Sequence, residues 1–400
     1  MNLLFFAMDE NSPSSGLSKK IKSQAEALGV ESSSLWLIMA SRKEGVFLYR
    51  FERISNQLVL EEHTPGEKKR SLWRRYEYYA KIVSAVFDRV CMEKSIEAVY
   101  CRRISMIPCL IQMFKKAKKR YGFFLGYEIP TYPFLMEHII ARQWRNLASE
   151  LIFSKALYVL VDHFFLITDT ASESKIPFKN WTRISNGINV DRIPLRSAVR
   201  PIRDGLHLLG LANVAFWHGY DRVIKGLSDY YGDANNKFPI FFHIAGEGPV
   251  LSSLKKMALD FDVEKHVIFH GPVYGEELEE LFTRCHIGVA SLGGHRKKIN
   301  ETSELKAREY CARGMPFFMS MKDPDFDVNL DFIHYVPEDD SAINMNDIVH
   351  FSRSMIKNSD AVIKEMRVYA ELHLDWKKTM KKVYSVFTNL EETKEDVACR

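Results

Sequence analysis

The second half of the chain alternates short apolar runs with amphipathic stretches, and this alternation constrains the fold more than any other feature. Strands and helices are predicted in turn, in this order: Leu206–Leu211, Tyr220–Tyr231, Pro239–Ala245, Leu251–Phe261, Val267–His270, Glu276–Arg284, Ile287–Leu292 and, after one more helix, Pro316–Ser320. Strands that alternate with helices pair in parallel, because each helix carries the chain back over the sheet. The pattern therefore predicts an α/β domain with a doubly wound parallel sheet.

The first half shows the same pattern with one interruption. Its predicted strands and helices are, in order, Asn2–Met8, Leu17–Leu28, Ser34–Ala40, Leu72–Cys91, Ala98–Cys101, Pro108–Tyr121, Phe123–Ile129, Leu135–Leu157 and Phe164–Thr168. Between the second strand and the second helix, Val46–Phe51 and Leu58–Glu61 are typical of an inserted hairpin. A chain of 400 residues with 46% hydrophobic and 27% charged residues is long enough for two such domains.

The helix between the last two predicted strands has an unusual start. Thr302 or Ser303 is a suitable N-cap, and Gly314 followed by Pro316 ends the helix. We therefore predict a helix over 303–313. The N–H groups of its first turn, those of Ser303, Glu304 and Leu305, favour an anion such as a diphosphate.

Two carboxylates eight positions apart, Glu301 and Glu309, bracket that helix start. They could hold hydroxyl groups on either side of a diphosphate, one on a sugar and one on a ribose. The alternative is that both are solvated surface carboxylates, with Glu304 and Arg308 forming an i,i+4 surface pair.

Glycines follow two of the strands. Gly16 opens the helix after the first strand, and Gly246 and Gly248 lie in the turn Ile244–Pro249 before another helix. Glycines in a strand-to-helix turn allow a nucleotide to approach the backbone closely. An ordinary turn explains Gly16 equally well.

The Glu301-x7-Glu309 spacing, followed by Ala312-x-Gly314-x-Pro316, resembles the motif of the retaining, nucleotide-sugar-dependent glycosyltransferases of family 4, which have the GT-B fold. Asn186-Gly-Ile-x-x-Asp191 resembles the segment between their two domains. The string Gly126-Tyr127-Glu128 resembles the variant of capsule and surface-polysaccharide glycosyltransferases.

The resemblance implies two facing doubly wound domains. The first spans residues 1–190, with a C-terminal helix over about 375–392 that crosses back to it, and the second spans 191–374 and holds the donor. The terminal helix is expected to pack through Trp376, Met380, Val383 and Phe387. The implied reaction is retaining transfer of a sugar from a UDP- or GDP-sugar to a hydroxyl of a glycan or lipid-linked acceptor, in polysaccharide biosynthesis.

The resemblance also implies residue roles. Glu309 would hold the ribose and Glu301 a hydroxyl of the donor sugar. Where the family has an arginine and then a lysine before a glycine, this chain has Leu211 and then His218 before Gly219. The charge of the diphosphate would be met either by Arg222 or by the run Arg296-Lys297-Lys298.

The family's histidine at the end of a first-domain strand is absent, so its role is either taken by Tyr127 or Glu128 or missing from this chain. A different enzyme of the same fold, a nucleotide-sugar epimerase or hydrolase, is a second interpretation. A non-catalytic binding partner is a third, because family residues are missing.

No metal or cofactor is expected, since the nucleotide sugar is a co-substrate. Asp323-Pro-Asp-Phe-Asp327 has the Asp-x-Asp spacing of metal-dependent glycosyltransferases, but an acidic loop broken by proline is typical of a solvated turn. The six cysteines lack paired spacing and are expected to be free thiols in a reducing cytoplasm.

Positive charge is concentrated in the first half although the net charge is only +5. The clusters are Lys68–Arg70, Arg74–Arg75 and Lys115–Arg120. They indicate an anionic partner, either membrane lipid or a phosphorylated substrate and not nucleic acid. We expect reversible association with an anionic membrane at its inner face. Stabilisation of a helix C-terminus explains the last cluster equally well.

No apolar run approaches the ~20 residues of a membrane-spanning helix. The N-terminal run Leu3–Phe6 ends at Asp9 and lacks a basic leader, so it is expected to be a buried strand and not a signal peptide. These observations predict a cytoplasmic protein.

Overall fold

The computed structural model describes residues 1–11, 15–66, 72–104, 107–132, 144–168, 170–196, 199–297 and 301–398. The chain divides into two compact units. Unit 1 comprises Met1–Thr168, Ser172–Ser185 and Trp376–Arg400, and unit 2 comprises Asp169–Ala171 and Asn186–Asp375. Within the described part of the chain, no helix is long and apolar enough to cross a membrane.

Unit 1 contains a sheet with strand order β4-β3-β2-β1-β5-β6-β7-β8. Its strands are β1 (Asn2–Met8), β2 (Ser34–Ser41), β3 (Gly45–Glu52), β4 (Gln57–Pro65), β5 (Ala98–Arg102), β6 (Phe124–Tyr132), β7 (His163–Thr168) and β8 (Trp181–Arg183). All neighbours pair in parallel except β2 with β3 and β3 with β4. The predicted hairpin insertion therefore forms one edge of the sheet.

The helices of unit 1 cover both faces of this sheet. Those of more than two turns within the described residues are α1 (Gly16–Glu31), α2 (Leu72–Glu93), α3 (Pro108–Tyr121), α4 (Trp144–Tyr158) and, numbered in chain order, α11 (Trp376–Ala398). On one face Phe6 of β1 packs against Phe87 of α2 and Phe114 of α3. The first part of the predicted helix Leu135–Leu157 lies outside the described residues.

The C-terminal helix α11 packs on the other face of the same sheet, beside α1. Its residues Trp376, Met380, Val383 and Phe387 are buried, as their spacing predicted. Phe387 lies so close to β6 that a Cβ added at Gly126 would meet its ring at 2.8 Å. The absence of a side chain at Gly126 therefore leaves the room that the Phe387 ring of the terminal helix needs to pack on β6.

Unit 2 contains an entirely parallel sheet with strand order β11-β10-β9-β12-β13-β14. The strands are β9 (Leu206–Leu211), β10 (Ile240–Ala245), β11 (Val267–Gly271), β12 (Ile287–Val289), β13 (Phe317–Met319) and β14 (Ile333–Tyr335). The helices are α5 (Tyr220–Gly232), α6 (Leu251–Asp260), α7 (Gly275–Arg284), α8 (Leu305–Arg313), α9 (Met345–Lys357) and α10 (Ser359–Tyr369). This is the predicted doubly wound domain.

The strand order of unit 2 reverses direction between β9 and β12. The chain moves outward from β9 through β10 and β11, and then returns to the opposite side of β9. In open α/β sheets, ligands bind outside the carboxyl ends of the strands at such a switch point. The segments that follow β9 and β12 are therefore where a binding site is expected.

Helix α8 is fixed to this point of the sheet by one tyrosine. The hydroxyl of Tyr310 donates to the carbonyl of Leu209 over 2.9 Å and accepts from the N–H of Leu211 over 3.2 Å. A Cβ added at Gly288 of β12 would meet the Tyr310 ring at 2.7 Å, so this glycine lets the helix approach. The start of α8 is thereby held close to the ends of β9 and β12.

Candidate functional site

The predicted start of the motif helix is wrong by two residues. Helix α8 begins at Leu305 and its N-cap residue is Glu304. The hydroxyl of Ser303 is not a cap, because it accepts from the N–H of Asn186 over 2.8 Å. The first-turn N–H groups are therefore those of Leu305 and the two residues after it.

No side chain caps this helix from its N-cap position. The Glu304 carboxylate instead accepts from the N–H of Ser291 over 3.0 Å and from its hydroxyl over 2.7 Å. Ser291 follows β12, so Glu304 ties α8 to the switch point. The uncapped first turn remains favourable for an anion.

Lys306, the second residue of α8, places an ammonium group beside this turn. Its side chain is only 11% exposed, and Nζ lies 4.0 Å from Oε2 of Glu304 and 5.4 Å from the ring centre of Tyr220. Among the residues that the structure describes, neither Nζ of Lys306 nor the hydroxyl of buried Tyr220 has a hydrogen-bond partner. Burial lowers the pKa of Lys306 to about 8.

A buried ammonium without a hydrogen bond is costly, and buried polar groups in folded proteins normally have partners. A ligand with a hydrogen-bond acceptor could therefore bind here, between the ammonium of Lys306 and the hydroxyl of Tyr220. The helix start lacks a cap from its N-cap side chain, and the ammonium of Lys306 forms no hydrogen bond with the described residues. These two features lie in one small region, and both favour a bound anion.

His218 lies next to this cluster, at the end of the segment after β9. Burial lowers its pKa well below the ordinary value, and the charges of Lys306 and Lys297 lower it further. Its Nδ1 accepts from the N–H of Ala215 over 3.0 Å, so the neutral ring carries its proton on Nε2. A histidine at this position could contact a phosphate either as a protonated cation or as a neutral donor, and these contacts favour the neutral donor.

Gly219 has a left-handed backbone conformation, with φ of 67°. A Cβ there would meet the backbone of Leu292 at 2.7 Å. The N–H of Leu292 in turn donates to the carbonyl of His218 over 3.0 Å. Gly219 therefore joins the segments that follow β9 and β12.

Gly246 and Gly248 allow the turn after β10 to pack closely against the segment after β9. A Cβ at Gly246 would meet the carbonyl oxygen of Ala212 at 1.8 Å, and one at Gly248 would meet that of Val214 at 2.1 Å. Both glycines have φ values in the positive range. They hold the turn after β10 against the segment after β9, at the border of the switch point.

The arginines considered for the diphosphate charge are engaged elsewhere. All three guanidinium nitrogens of buried Arg222 donate to backbone carbonyls, those of Ser341, Leu292 and Pro337. Arg296 is held by Asp221, at 2.8 and 2.9 Å, and by a second aspartate. Lys298 lies outside the described residues. These contacts favour a structural role for both arginines.

The two motif carboxylates both have partners in unit 2. Glu301 accepts from the hydroxyl of Thr170 over 2.9 Å and from its N–H over 3.1 Å. Oε1 of Glu309 accepts from Nε of Arg313 over 3.1 Å, and Arg313 also binds Glu279. Neither carboxylate is simply solvated.

The surface pair between Glu304 and Arg308, which the alternative interpretation included, does not form. Arg308 is fully buried and forms a bidentate ion pair with Asp323, at 2.6 and 3.2 Å, with a further contact to Asp325. Asp323, expected in a solvated turn, is therefore buried as well. This cluster anchors the acidic loop beneath α8.

The three site candidates of unit 1 have different surroundings. Tyr127 is completely buried, and its hydroxyl accepts from the N–H of Ile104 over 3.1 Å. Gly16 opens α1 after the N-cap Ser15, and a Cβ there would meet nothing within 4 Å. Neither position shows a feature that requires a ligand.

Glu128 lies in a buried network. Its carboxylate accepts from the Tyr100 hydroxyl at 2.7 Å, Gln24 at 2.8 Å and Lys20 at 3.3 Å. Burial alone would raise its pKa, but Lys20 and Arg102 hold the pKa of this carboxyl below its ordinary value. The placement favours a structural ion pair in the core of unit 1.

Known proteins resemble this chain at two levels. Residues 203–323 match the family model of the glycosyl transferases group 1. That range contains Glu301, Lys306, Glu309 and every strand from β9 to β13. No curated protein matches the chain.

Solved structures resemble it over nearly its whole length. Sucrose-phosphate synthase from Thermosynechococcus elongatus has a TM-score of 0.68 at 11% identity, covering 98% of this chain and 99% of its own. HepE from Anabaena in complex with UDP has a TM-score of 0.60 at 10% identity, covering 97% and 100%. The lipopolysaccharide outer core galactosyltransferase WaaB in its apo form has a TM-score of 0.56 at 13% identity, covering 96% and 99%. The chain therefore has the GT-B fold.

Sequence reasoning missed Lys306 and Tyr220 as site candidates. A lysine between Leu305 and Ala307, on a helix whose next residues are buried, is the signal that could have identified the first. Tyr220 looked like an ordinary first residue of a helix. Only the sheet topology brings it under Lys306.

Proposed function

We propose that this chain is a retaining glycosyltransferase that acts in the cytoplasm. It transfers a sugar from a UDP- or GDP-sugar to a hydroxyl of a glycan or lipid-linked acceptor in polysaccharide biosynthesis. The observation that carries the proposal is the start of α8, where the N-cap side chain forms no capping hydrogen bond and the buried ammonium of Lys306 has no hydrogen-bond partner among the described residues. Its position inside the region matched by the glycosyl transferases group 1 model supports a nucleotide sugar as the ligand.

The diphosphate occupies the first turn of α8 in this proposal. Lys306 supplies the positive charge, and the Nε2–H of His218 is a neutral donor beside it. The charge on the diphosphate increases as its bond to the sugar breaks, and donors fixed in advance stabilise that charge without reorganisation. The arrangement provides for the leaving group without a metal ion.

The two carboxylates would then bind the two ends of the donor. Oε1 of Glu309 is bonded to Arg313, and we assign Oε2 to a ribose hydroxyl. We assign Glu301 to a hydroxyl of the transferred sugar near the reacting carbon. Binding the sugar would replace at least part of its contact with Thr170.

A thermal-shift screen against UDP, GDP, ADP and their sugars tests the proposal. We expect a nucleoside diphosphate and its sugar to raise the melting temperature, and the Lys306→Met variant to lose most of this shift. If none of these ligands shifts the wild-type protein, the chain is not a nucleotide-sugar enzyme. Release of free sugar or of an epimer without acceptor would favour a hydrolase or an epimerase instead.

A further inference from the structure

The outer side of α4 in unit 1 exposes a row of apolar side chains. Trp144, Leu151, Ile152 and, just after the helix, Val159 are 59%, 63%, 67% and 81% exposed. Trp144, Leu151 and Ile152 fall within an arc of about 100° around the helix, and Val159 follows its last residue. We call these four residues the α4 stripe. A helix on the surface of a soluble domain normally turns polar residues outward, so the stripe needs an apolar environment.

Basic side chains border the stripe. Helices α3 and α4 pack side by side, and Lys118 near the end of α3 donates to the carbonyl of Leu160, just beyond α4, over 2.5 Å. Lys115, Lys116 and Lys119 of α3 are exposed, as is Lys155 of α4 itself. The apolar row and the lysines therefore lie on neighbouring helices of one layer.

Two acidic groups of this region already form ion pairs with basic side chains. Glu150 is buried and bonded to Arg103 over 3.1 Å, and Asp162 pairs with Lys118. A cation near the end of a helix, such as Lys119, stabilises the helix C-terminus. This effect does not explain Lys115 in the middle of α3, and it does not explain an exposed apolar row.

We propose that this surface binds the anionic face of a lipid bilayer. The α4 stripe would enter the boundary between headgroups and acyl chains, and the lysines of α3 would contact anionic headgroups. An amphipathic helix with basic residues beside its apolar face binds membranes in this way. The proposal concerns unit 1 alone and does not depend on the donor site of unit 2.

Vesicle flotation tests the proposal with the full chain. Wild-type protein should float with phosphatidylcholine vesicles that contain about 30% phosphatidylglycerol and remain unbound with pure phosphatidylcholine. Raising the salt from about 50 to about 300 mM should release it, because screening weakens the headgroup contacts. Equal binding to both vesicle types would overturn the proposal.

Variants separate the two parts of the surface. Leu151→Gln with Ile152→Gln should weaken partitioning at least tenfold, whereas the matched control Leu259→Gln, a 64% exposed leucine of α6, should leave it unchanged. Replacing Lys115 and Lys116 by Gln should weaken it by about fivefold per residue. Circular dichroism shows whether each variant is folded.

Trp144 reports insertion directly. Vesicles with brominated acyl chains should quench part of the wild-type fluorescence, and Trp144→Phe should bind equally well but lose that part. Quenching that is the same in both proteins would show that the stripe stays outside the bilayer and would overturn the proposal. So would a dimer in solution that dissociates when Leu151 and Ile152 are changed, since the stripe would then contact a second copy.

Discussion

Mild acid should destabilise unit 2 through a row of histidines across its sheet. His270, His243 and His207 stand on β11, β10 and β9, and their rings are joined by hydrogen bonds of 2.9 and 2.8 Å. His286, just before β12, continues the row by accepting from the N–H of His207 over 3.0 Å. A chain of imidazoles joined in this way is stable only while the buried rings stay neutral.

The magnitude follows from the two most buried rings. Burial, followed by the charge of His207, lowers the pKa of His243 to about 3 and that of His286 to about 4. In the unfolded chain both have a pKa of about 6.5. Between pH 6.5 and 5 these two histidines are therefore protonated in the unfolded chain but remain neutral in the folded protein, and the free energy of unfolding falls. Each ring costs about 2 kcal/mol over this interval, so the pair costs about 4 kcal/mol.

Urea denaturation at pH 7.5 and pH 5.0, followed by circular dichroism, measures this loss. His243→Gln removes one titrating ring, so its loss on acidification should be smaller by about 2 kcal/mol, although the variant is less stable at pH 7.5. The control His350→Gln changes an exposed histidine of α9 and should behave as wild type. An unchanged pH dependence in His243→Gln would refute the reasoning.

Three further predictions concern α8. If Glu309 binds the ribose as proposed, Glu309→Gln should weaken binding of nucleoside diphosphate and nucleotide sugar alike by about 1.5–3 kcal/mol in calorimetry, because a charged hydrogen bond is lost. If Glu301 binds the transferred sugar as proposed, Glu301→Gln should instead leave nucleoside diphosphate binding nearly unchanged and strongly reduce turnover. Arg308→Met should lower stability by about 3–5 kcal/mol in urea denaturation, because it leaves the buried Asp323 without its counter-ion.

Each of these has an outcome that contradicts it. Equal, small effects of Glu301→Gln and Glu309→Gln on binding and turnover would return both residues to the role of surface carboxylates. A stable Arg308→Met protein would mean that Asp323 is neutral or finds another partner. Lys364→Met, on the exposed side of α10, is the matched control for the loss of a cation.

Local sequence patterns predicted most helices and strands. Contacts between residues far apart in the sequence determined the start of α8 and the partner of Arg308, which local patterns could not predict. The burial of Phe387 followed from its spacing along the terminal helix. The start of α8 did not follow from sequence, because the hydroxyl of Ser303 binds Asn186, which is 117 residues away. Likewise, i,i+4 spacing paired Arg308 with Glu304, whereas a bidentate contact with Asp323 is stronger than an exposed helix pair. Strands β8 and β14 are three residues long, too short for a periodic pattern.

The same limit explains why the sequence indicated Arg222 and the run Arg296-Lys297-Lys298, and not Lys306, for the charge of the diphosphate. Leu211 and His218 stand at the positions where the resemblance implies an arginine and a lysine, so other basic residues became the candidates. The switch point brings α8 to the same place, so a cation can come from the helix instead. In the proposed function Lys306 is that cation, although a positive charge near a helix N-terminus is unfavourable.

Lys306 should therefore lower the stability of the ligand-free protein. Burial lowers its pKa from 10.5 to about 8. A lysine with a lowered folded-state pKa destabilises the protein below that pKa, and the effect disappears as the pH rises through 8 toward 10.5. At pH 7 the difference of about 2.5 pKa units corresponds to about 3 kcal/mol.

Lys306→Met should thus raise the melting temperature of the free protein by about 5 °C or more while weakening nucleoside diphosphate binding. Wild-type affinity should also fall between pH 7 and pH 9, as the free lysine loses its proton, and Lys306→Met should lack this dependence. A bound diphosphate would remove both causes of this instability. It would supply a hydrogen-bond acceptor to the buried ammonium, and its negative charge would offset the positive charge near the helix N-terminus. If Lys306→Met instead destabilises the free protein, the lysine is a structural partner of Glu304, and the charge of the diphosphate must come from another residue.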